Sequence, residues 1–160
     1  MKHDEFRTVR GYELLNQNKK ELTSAMEDYL EMIYRNIEQE GYMRINTLSE
    51  LLNVKPSSAT RMVQKLKELG LINYEKYGII FLSEDGKEYG RFLLERHNVV
   101  EKFLKSLGIK ENLLTETELV EHNISKNTME RINKLNEILE AHPEIIKEFE
   151  NFNNRKNECK

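Results

Sequence analysis

Two short helical segments separated by a tight turn constrain the fold of this chain more than any other feature. The first is predicted from Thr47 to Leu52, with Asn46 as its cap and its leucines on one side. After a turn at residues 53–55, the second begins at Pro56 or the next residue, because the first helical turn tolerates proline. This second helix ends before Gly70. The pattern predicts a helix-turn-helix.

The residues that follow the second helix predict a β-hairpin. Two β-rich runs, Leu71 to Tyr77 and Ile79 to Leu82, meet at Gly78. A hairpin directly after the second helix of a helix-turn-helix is a wing. The N-terminal part of the chain is therefore predicted to be a winged helix-turn-helix, in which the second helix would enter a DNA groove.

Charge indicates where nucleic acid would bind. The chain carries a formal net charge of −3, so it is not a general polyanion binder. Between Lys55 and Tyr77, however, the sequence has five basic residues and only two acidic ones. The residues that we predict to contact DNA are Lys55, Ser57, Ser58, Thr60, Arg61, Gln64, Lys65, Lys76 and Tyr77. The alternative is that this stretch is only the solvated side of a helical hairpin.

Helical periodicity dominates the rest of the chain. The predicted helices run from 24 to 39, from Ser83 to about Ser106, from 112 to 123, from Ser125 onward and from Pro143 to Phe152. The fold is therefore expected to be mainly α. We expect cytoplasmic localisation, because no apolar stretch approaches the length of a membrane span and no leader pattern occurs.

Acidic and imidazole side chains recur at positions that could bind metal. The candidate ligands are Asp28, Glu31, His97, Glu118, Glu121 and His122. Within two of the helical segments they are three or four residues apart, so they project from one face. Together these groups could close around one or two hard divalent cations. Taken separately, the carboxylates could also be ordinary exposed helix charges, and His97 a buried core histidine.

The expected metal follows from the available ligands. The only cysteine, Cys159, lies next to the C-terminus, so a thiolate site and an internal disulfide are both disfavoured. Carboxylates with two histidines suit Mn²⁺ or Fe²⁺. Zn²⁺ or Co²⁺ can also occupy such a site, because raw affinity follows the Irving–Williams order.

Taken together, these segments resemble the diphtheria toxin repressor family, and within it the manganese transport repressor branch. The matching motifs are Met26 to Glu31, Val54 to Leu66, Tyr74 to Tyr77, Arg96-His97 and Glu118 to His122. The resemblance implies a homodimer of winged helix-turn-helix subunits on a palindromic operator. It also implies that all six candidate ligands hold metal, and that metal-loaded protein represses metal-uptake genes.

The resemblance also implies a domain organisation. We expect an N-terminal extension at 1–22, a DNA-binding domain at 23–90, a helical metal-binding and dimerisation domain at 91–153 and a flexible tail at 154–160. The family resemblance also bears on the metal. In the iron-responsive branch, methionine stands at the position of Asp28 and cysteine at the position of Glu121. The carboxylates of this chain therefore favour manganese.

Three other functions are alternatives to this prediction. An iron-responsive repressor of the same family is the nearest one, and a winged-helix regulator that senses a small organic ligand is another. A di-metal carboxylate enzyme would need two Glu-x-x-His motifs, and the sequence contains none. We therefore expect that the chain is not an enzyme.

Overall fold

The structure, a computed structural model, describes residues 22–157. Of the predicted N-terminal extension only residue 22 is described, and Cys159 lies outside the described residues. The chain divides into two compact units between Leu94 and Glu95. This division lies four residues after the predicted boundary at 90. Between residues 22 and 157, no helix has both the length and the apolar character that crossing a membrane requires.

Within residues 22–94, the first unit contains three α-helices, a three-stranded sheet and the beginning of a fourth α-helix. Its elements are α1 (Ser24–Glu40), β1 (Met43–Arg44), α2 (Ile45–Leu51), α3 (Pro56–Glu68), β2 (Ile72–Glu75), β3 (Ile79–Leu82) and the first part of α4 (Glu84–Ser106). The sheet is antiparallel, with the strand order β1-β3-β2. Helices α2 and α3 form the helix-turn-helix, and β2 with β3 forms the wing. The predicted fold class is confirmed.

Helix α1 begins and ends as the sequence predicts. Thr23 Oγ1 accepts a hydrogen bond from the Met26 amide at 3.3 Å, which caps the helix. Gly41 ends it with a φ of 76°, a conformation that glycine adopts without strain. Leu30 and Ile33 are completely buried, so this face of α1 forms part of the core of the first unit.

The start of α2 differs from the prediction. Asn46 was predicted to cap this helix, but the helix begins at Ile45, two residues before its predicted start at Thr47, and Asn46 lies inside its first turn. The cause is β1, a two-residue strand that the sequence pattern did not indicate. Arg44 pairs with Ile79 of β3, so the strand leads directly into the helix. Arg44 therefore takes the cap position, without a side-chain hydrogen bond to the helix.

Two glycines let α4 pack closely against the rest of the first unit. A Cβ atom at Gly86 would lie 1.8 Å from the Leu71 carbonyl oxygen, and one at Gly90 would lie 2.6 Å from the Tyr34 side chain. Ser83 fixes the start of the helix, because its hydroxyl accepts from the Gly86 amide at 3.0 Å. Any larger residue at either glycine would push α4 away from the core.

The second unit is helical. After the remainder of α4 it contains α5 (Leu113–Glu121), α6 (Lys126–Ala141) and α7 (Pro143–Asn157). Asn136 of α6 donates to the Val99 carbonyl of α4 at 2.9 Å, which ties these helices together. Helix α7 extends past Phe152, its predicted end, and so includes part of the segment 154–160 that we expected to be a flexible tail.

Candidate metal centre and DNA-binding surface

The residues predicted to contact DNA are all exposed. They are Lys55, Ser57, Ser58, Thr60, Arg61, Gln64 and Lys65 on or beside α3, and Lys76 and Tyr77 in the wing. Opposite them, Ala59, Val63 and Leu66 of α3 are completely buried. The helix therefore presents one apolar face to the core and leaves its hydroxyl and basic side chains available to a ligand.

Two side chains in this surface are already partly engaged. The Thr60 hydroxyl donates to the Pro56 carbonyl at 2.9 Å, so at a base edge it would act as an acceptor. Lys67 Nζ lies 3.4 Å from the Tyr74 carbonyl of β2, where it links α3 to the wing. Lys67 thus has a structural contact that Arg61 and Lys65 do not show among the described residues.

The turn at the tip of the wing, between β2 and β3, is strained and exposes an aromatic ring. Lys76 to Gly78 form a single 3₁₀ turn, and Tyr77 within it has a φ of 66°. Bulky residues rarely adopt this conformation. The Tyr77 side chain is 92% exposed. A strained, exposed ring beside a lysine is suited to a ligand contact at this point.

In the first unit, the candidate metal ligands lie on α1. Asp28 is half-buried, and Glu31 is buried and pairs with Arg35 one turn later. Burial raises the pKa of the Tyr29 phenol above its ordinary value of 10.0, because desolvation disfavours the phenolate. Tyr29 therefore contributes no negative charge beside Asp28 and Glu31.

A third carboxylate of α1 has a structural role. Glu27 is buried, and its Oε1 accepts a hydrogen bond from the Tyr89 hydroxyl of α4 at 2.8 Å. In the sequence, Glu27 is only part of the motif Met26 to Glu31, and no role of its own is predicted for it. Its partner is 62 residues away in sequence, so no local pattern could reveal the pair.

In the second unit, three of the candidate ligands form a cluster. His97 Nδ1 of α4 lies 3.0 Å from Glu121 Oε2 of α5. His122 Nε2 lies 3.8 Å from the other oxygen of the same carboxylate. The Glu121 side chain is only 1% exposed. A buried carboxylate between two imidazoles is a donor set that suits a divalent cation.

The fourth candidate of this unit lies apart from the cluster. Glu118 precedes Glu121 by one helical turn, but its side chain is exposed. The ion-pair contacts that join His97, Glu121 and His122 do not include Glu118. Its role as a metal ligand stays a prediction.

An arginine joins the cluster that sequence reasoning did not assign to it. Arg96, only 3% exposed, places its Nη2 3.1 Å from His122 Nδ1. The resemblance included Arg96 only as the neighbour of His97. Its burial beside the histidines is a signal that appears only in three dimensions.

Comparisons with known proteins identify both parts of the chain. Residues 21–80 match the family model described as "Iron dependent repressor, N-terminal DNA binding domain". Residues 83–150 match "Iron dependent repressor, metal binding and dimerisation domain".

Curated relatives match the chain over nearly their whole length. An HTH-type transcriptional regulator MntR from Lysinibacillus sphaericus (strain C3-41) is 40% identical over 129 residues, which cover 80% of this chain and 93% of that protein. MntR from Geobacillus thermodenitrificans (strain NG80-2) is 40% identical over 134 residues, covering 83% of this chain and 95% of that protein.

Solved structures have the same fold. The metal-dependent transcriptional regulator MtsR has a TM-score of 0.63 at 28% identity, and the manganese regulator SloR has a TM-score of 0.62 at 28% identity. Each match covers 69% of this chain and 52% of the other, so this chain matches about half of those two proteins.

A winged helix-turn-helix followed by a metal-binding and dimerisation domain defines the class of metal-dependent, DNA-binding transcriptional regulators. This class binds operator DNA and forms homodimers, and it consists of regulators rather than enzymes. The chain belongs to the iron-dependent repressor family, and within it to the regulators of the MntR type. The expectation that it is not an enzyme is confirmed.

Proposed function

We propose that this protein is a manganese-responsive repressor of metal-uptake genes, which acts in the cytoplasm as a homodimer on a palindromic operator. The observation that carries the proposal is the cluster of His97, Glu121 and His122 around the buried Glu121 carboxylate, in the domain that the family uses for metal. The six proposed ligands are Asp28, Glu31, His97, Glu118, Glu121 and His122.

The chemistry of the donors supports manganese. Four of the six proposed side chains are carboxylates and two are imidazoles, and such oxygen-rich sets suit Mn²⁺ or Fe²⁺. The MntR relatives and the manganese regulator SloR support manganese over iron. Zn²⁺ and Co²⁺ would also bind, and coordination geometry would then decide which metal activates the protein.

The family resemblance implies metal bound between the DNA-binding and dimerisation domains, which would couple metal to DNA. Ligands from α1 and ligands from α4 and α5 would share the same cations, so binding would favour one arrangement of the DNA-binding domain. Two recognition helices of a dimer must meet successive major grooves about 34 Å apart. Metal would then shift a population of arrangements toward the one with this spacing.

Basic side chains of the protein already neutralise part of the charge of the proposed ligands, which limits the repulsion between them. Four carboxylates gathered without a cation would repel one another, which would favour a mobile DNA-binding domain. Glu31, however, already pairs with Arg35, and Arg96 already contacts His122. The effect of metal would therefore come from replacing these contacts as well as from neutralising charge.

The test is the operator affinity of the full chain with and without manganese. Operator sites would first be selected from random duplex DNA in the presence of Mn²⁺, and their affinity measured with saturating Mn²⁺ or with a chelator. We expect manganese to strengthen binding by about 1 to 3 kcal/mol, roughly 5- to 150-fold. Equal affinity under both conditions would contradict the proposed mechanism. Calorimetric titration with Mn²⁺ and, anaerobically, Fe²⁺ would separate the two metals.

A further inference from the structure

The contact between Arg96 and His122 bears directly on how metal would bind. Arg96 Nη2 lies 3.1 Å from His122 Nδ1, and the arginine is only 3% exposed. Arginine has only donors, so its N–H must donate and Nδ1 must accept. The imidazole is then the neutral tautomer, with its proton on Nε2.

A histidine that binds metal cannot keep this contact. A neutral imidazole has one nitrogen with a lone pair and one that carries a proton. If His122 binds metal through Nδ1, the lone pair that Arg96 uses is taken. If it binds through Nε2, the proton moves to Nδ1, which then becomes a donor and faces another donor.

We propose that Arg96 competes with the metal for His122. Arg96 would bind the imidazole in the metal-free protein and would be released when His122 binds a cation. This inference rests on the proposed function, because it requires His122 to be a ligand. Arg96 is a positioning residue here, since it acts on metal through His122.

The competition has a consequence for affinity. Every cation that uses His122 must first break a hydrogen bond with a charged donor, which is among the stronger kinds. In addition, a buried guanidinium near the cluster repels a cation. Removing Arg96 should therefore tighten metal binding, although most substitutions beside a metal site weaken it.

The first experiment compares Arg96→Met with a matched control, Arg91→Met. Methionine keeps an unbranched side chain but removes the charge and every donor. Arg91 lies on the same helix and contacts Glu88 and Tyr34 in the first unit. By calorimetric titration with Mn²⁺, we expect Arg96→Met to bind about tenfold more tightly, or about 1.4 kcal/mol. We expect the control to match the wild type, and unchanged or weaker binding by Arg96→Met would overturn the inference.

The second experiment uses the wild-type chain and so does not depend on the variant folding. NMR of the imidazole nitrogens would be recorded without metal and with saturating Zn²⁺, which is diamagnetic. Without metal, His122 should carry its proton on Nε2, and Zn²⁺ should release the Arg96 side chain from its hydrogen bond. Retention of that bond at saturation would contradict the competition.

The outcomes separate this inference from the proposed function. If the wild type bound neither Mn²⁺ nor Zn²⁺, the proposed function itself would be wrong. If metal bound but the His122 signals did not change, His122 would not be a ligand. The proposed competition would then be wrong, whereas a metal-responsive repressor that uses the remaining ligands would still be consistent with the data.

Discussion

Glu121 Oε2 of α5 lies 3.0 Å from His97 Nδ1 of α4, and the two side chains are only 1% and 7% exposed. Each side chain offers donor atoms that suit a divalent cation, an imidazole nitrogen from His97 and the carboxylate oxygens from Glu121. The same carboxylate also lies near His122. Glu121 is therefore a proposed ligand that adjoins two others, which makes it the residue of this unit whose removal should matter most.

We expect Glu121→Ala and Glu121→Gln to lower the affinity for Mn²⁺ by more than the about 10- to 100-fold that is lost when a residue only orients a ligand, because Glu121 is itself a proposed ligand. The two should differ in stability. Glutamine keeps the volume of the buried side chain, whereas alanine leaves a cavity, at a cost of about 2 to 5 kcal/mol. Calorimetry and thermal unfolding measure the two effects. Unchanged metal affinity in both variants would place Glu121 outside the site.

Asp28→Met should change which metal activates the protein. A thioether is a softer ligand than a carboxylate, so the variant should respond to Fe²⁺ as well as Mn²⁺ while still binding DNA. Operator binding would be measured anaerobically with each metal. A metal response identical to that of the wild type would show that Asp28 does not touch the metal.

The sequence could predict the elements of the DNA-binding unit because their signals are local. Thr23 as cap, Pro56 at the start of α3 and Ser83 before α4 each mark a boundary within a few residues. Strand β1 was not predicted because it has only two residues and exists through pairing with β3. The predicted Asn46 cap was wrong for the same reason, since pairing between distant residues overrode a local preference.

The candidate site divides in the same way. His97, Glu121 and His122 could be named from spacing and resemblance, and the structure brings these three together. Arg96 and Glu27 could not be assigned, because their roles depend on partners 26 and 62 residues away. The spacing of residues along a helix indicates which of them lie on the same face. It does not indicate which residues of another helix pack against that face.

Arg61→Ala and Lys65→Ala should weaken binding to every duplex, because exposed basic side chains on the recognition helix mainly meet phosphates. The slope of binding against salt should fall by about one unit for each phosphate that the variant no longer neutralises, and the affinity for Mn²⁺ should not change. Lys110→Ala, at an exposed lysine in the second unit, serves as the control. A variant that failed to bind Mn²⁺ and kept its DNA affinity would mean that α3 is not the recognition helix.

Exposed apolar residues of the second unit are candidates for the dimer interface. In the amino-acid sequence, more apolar surface follows the wing than a short helical pair would bury alone, which predicts a two-fold interface that includes Leu104, Ile109, Leu113, Leu114 and Val120. Leu104 is in fact buried within the subunit, whereas Leu114 is 60% exposed. Leu119, which the prediction omitted, is 64% exposed on the same helix. Large apolar side chains exposed in a dimerisation domain are candidates for burial against a second copy.

We therefore expect Leu114→Glu to shift the protein toward monomer, because a charge would be buried in the interface. Leu51→Glu is the control, since Leu51 is 47% exposed in the DNA-binding unit. The wild-type dimer should persist in chelator, because none of the predicted interface residues is a proposed metal ligand. Sedimentation at micromolar concentration tests both points. A wild-type monomer that dimerised only when Mn²⁺ was added would move the metal switch from domain arrangement to subunit assembly.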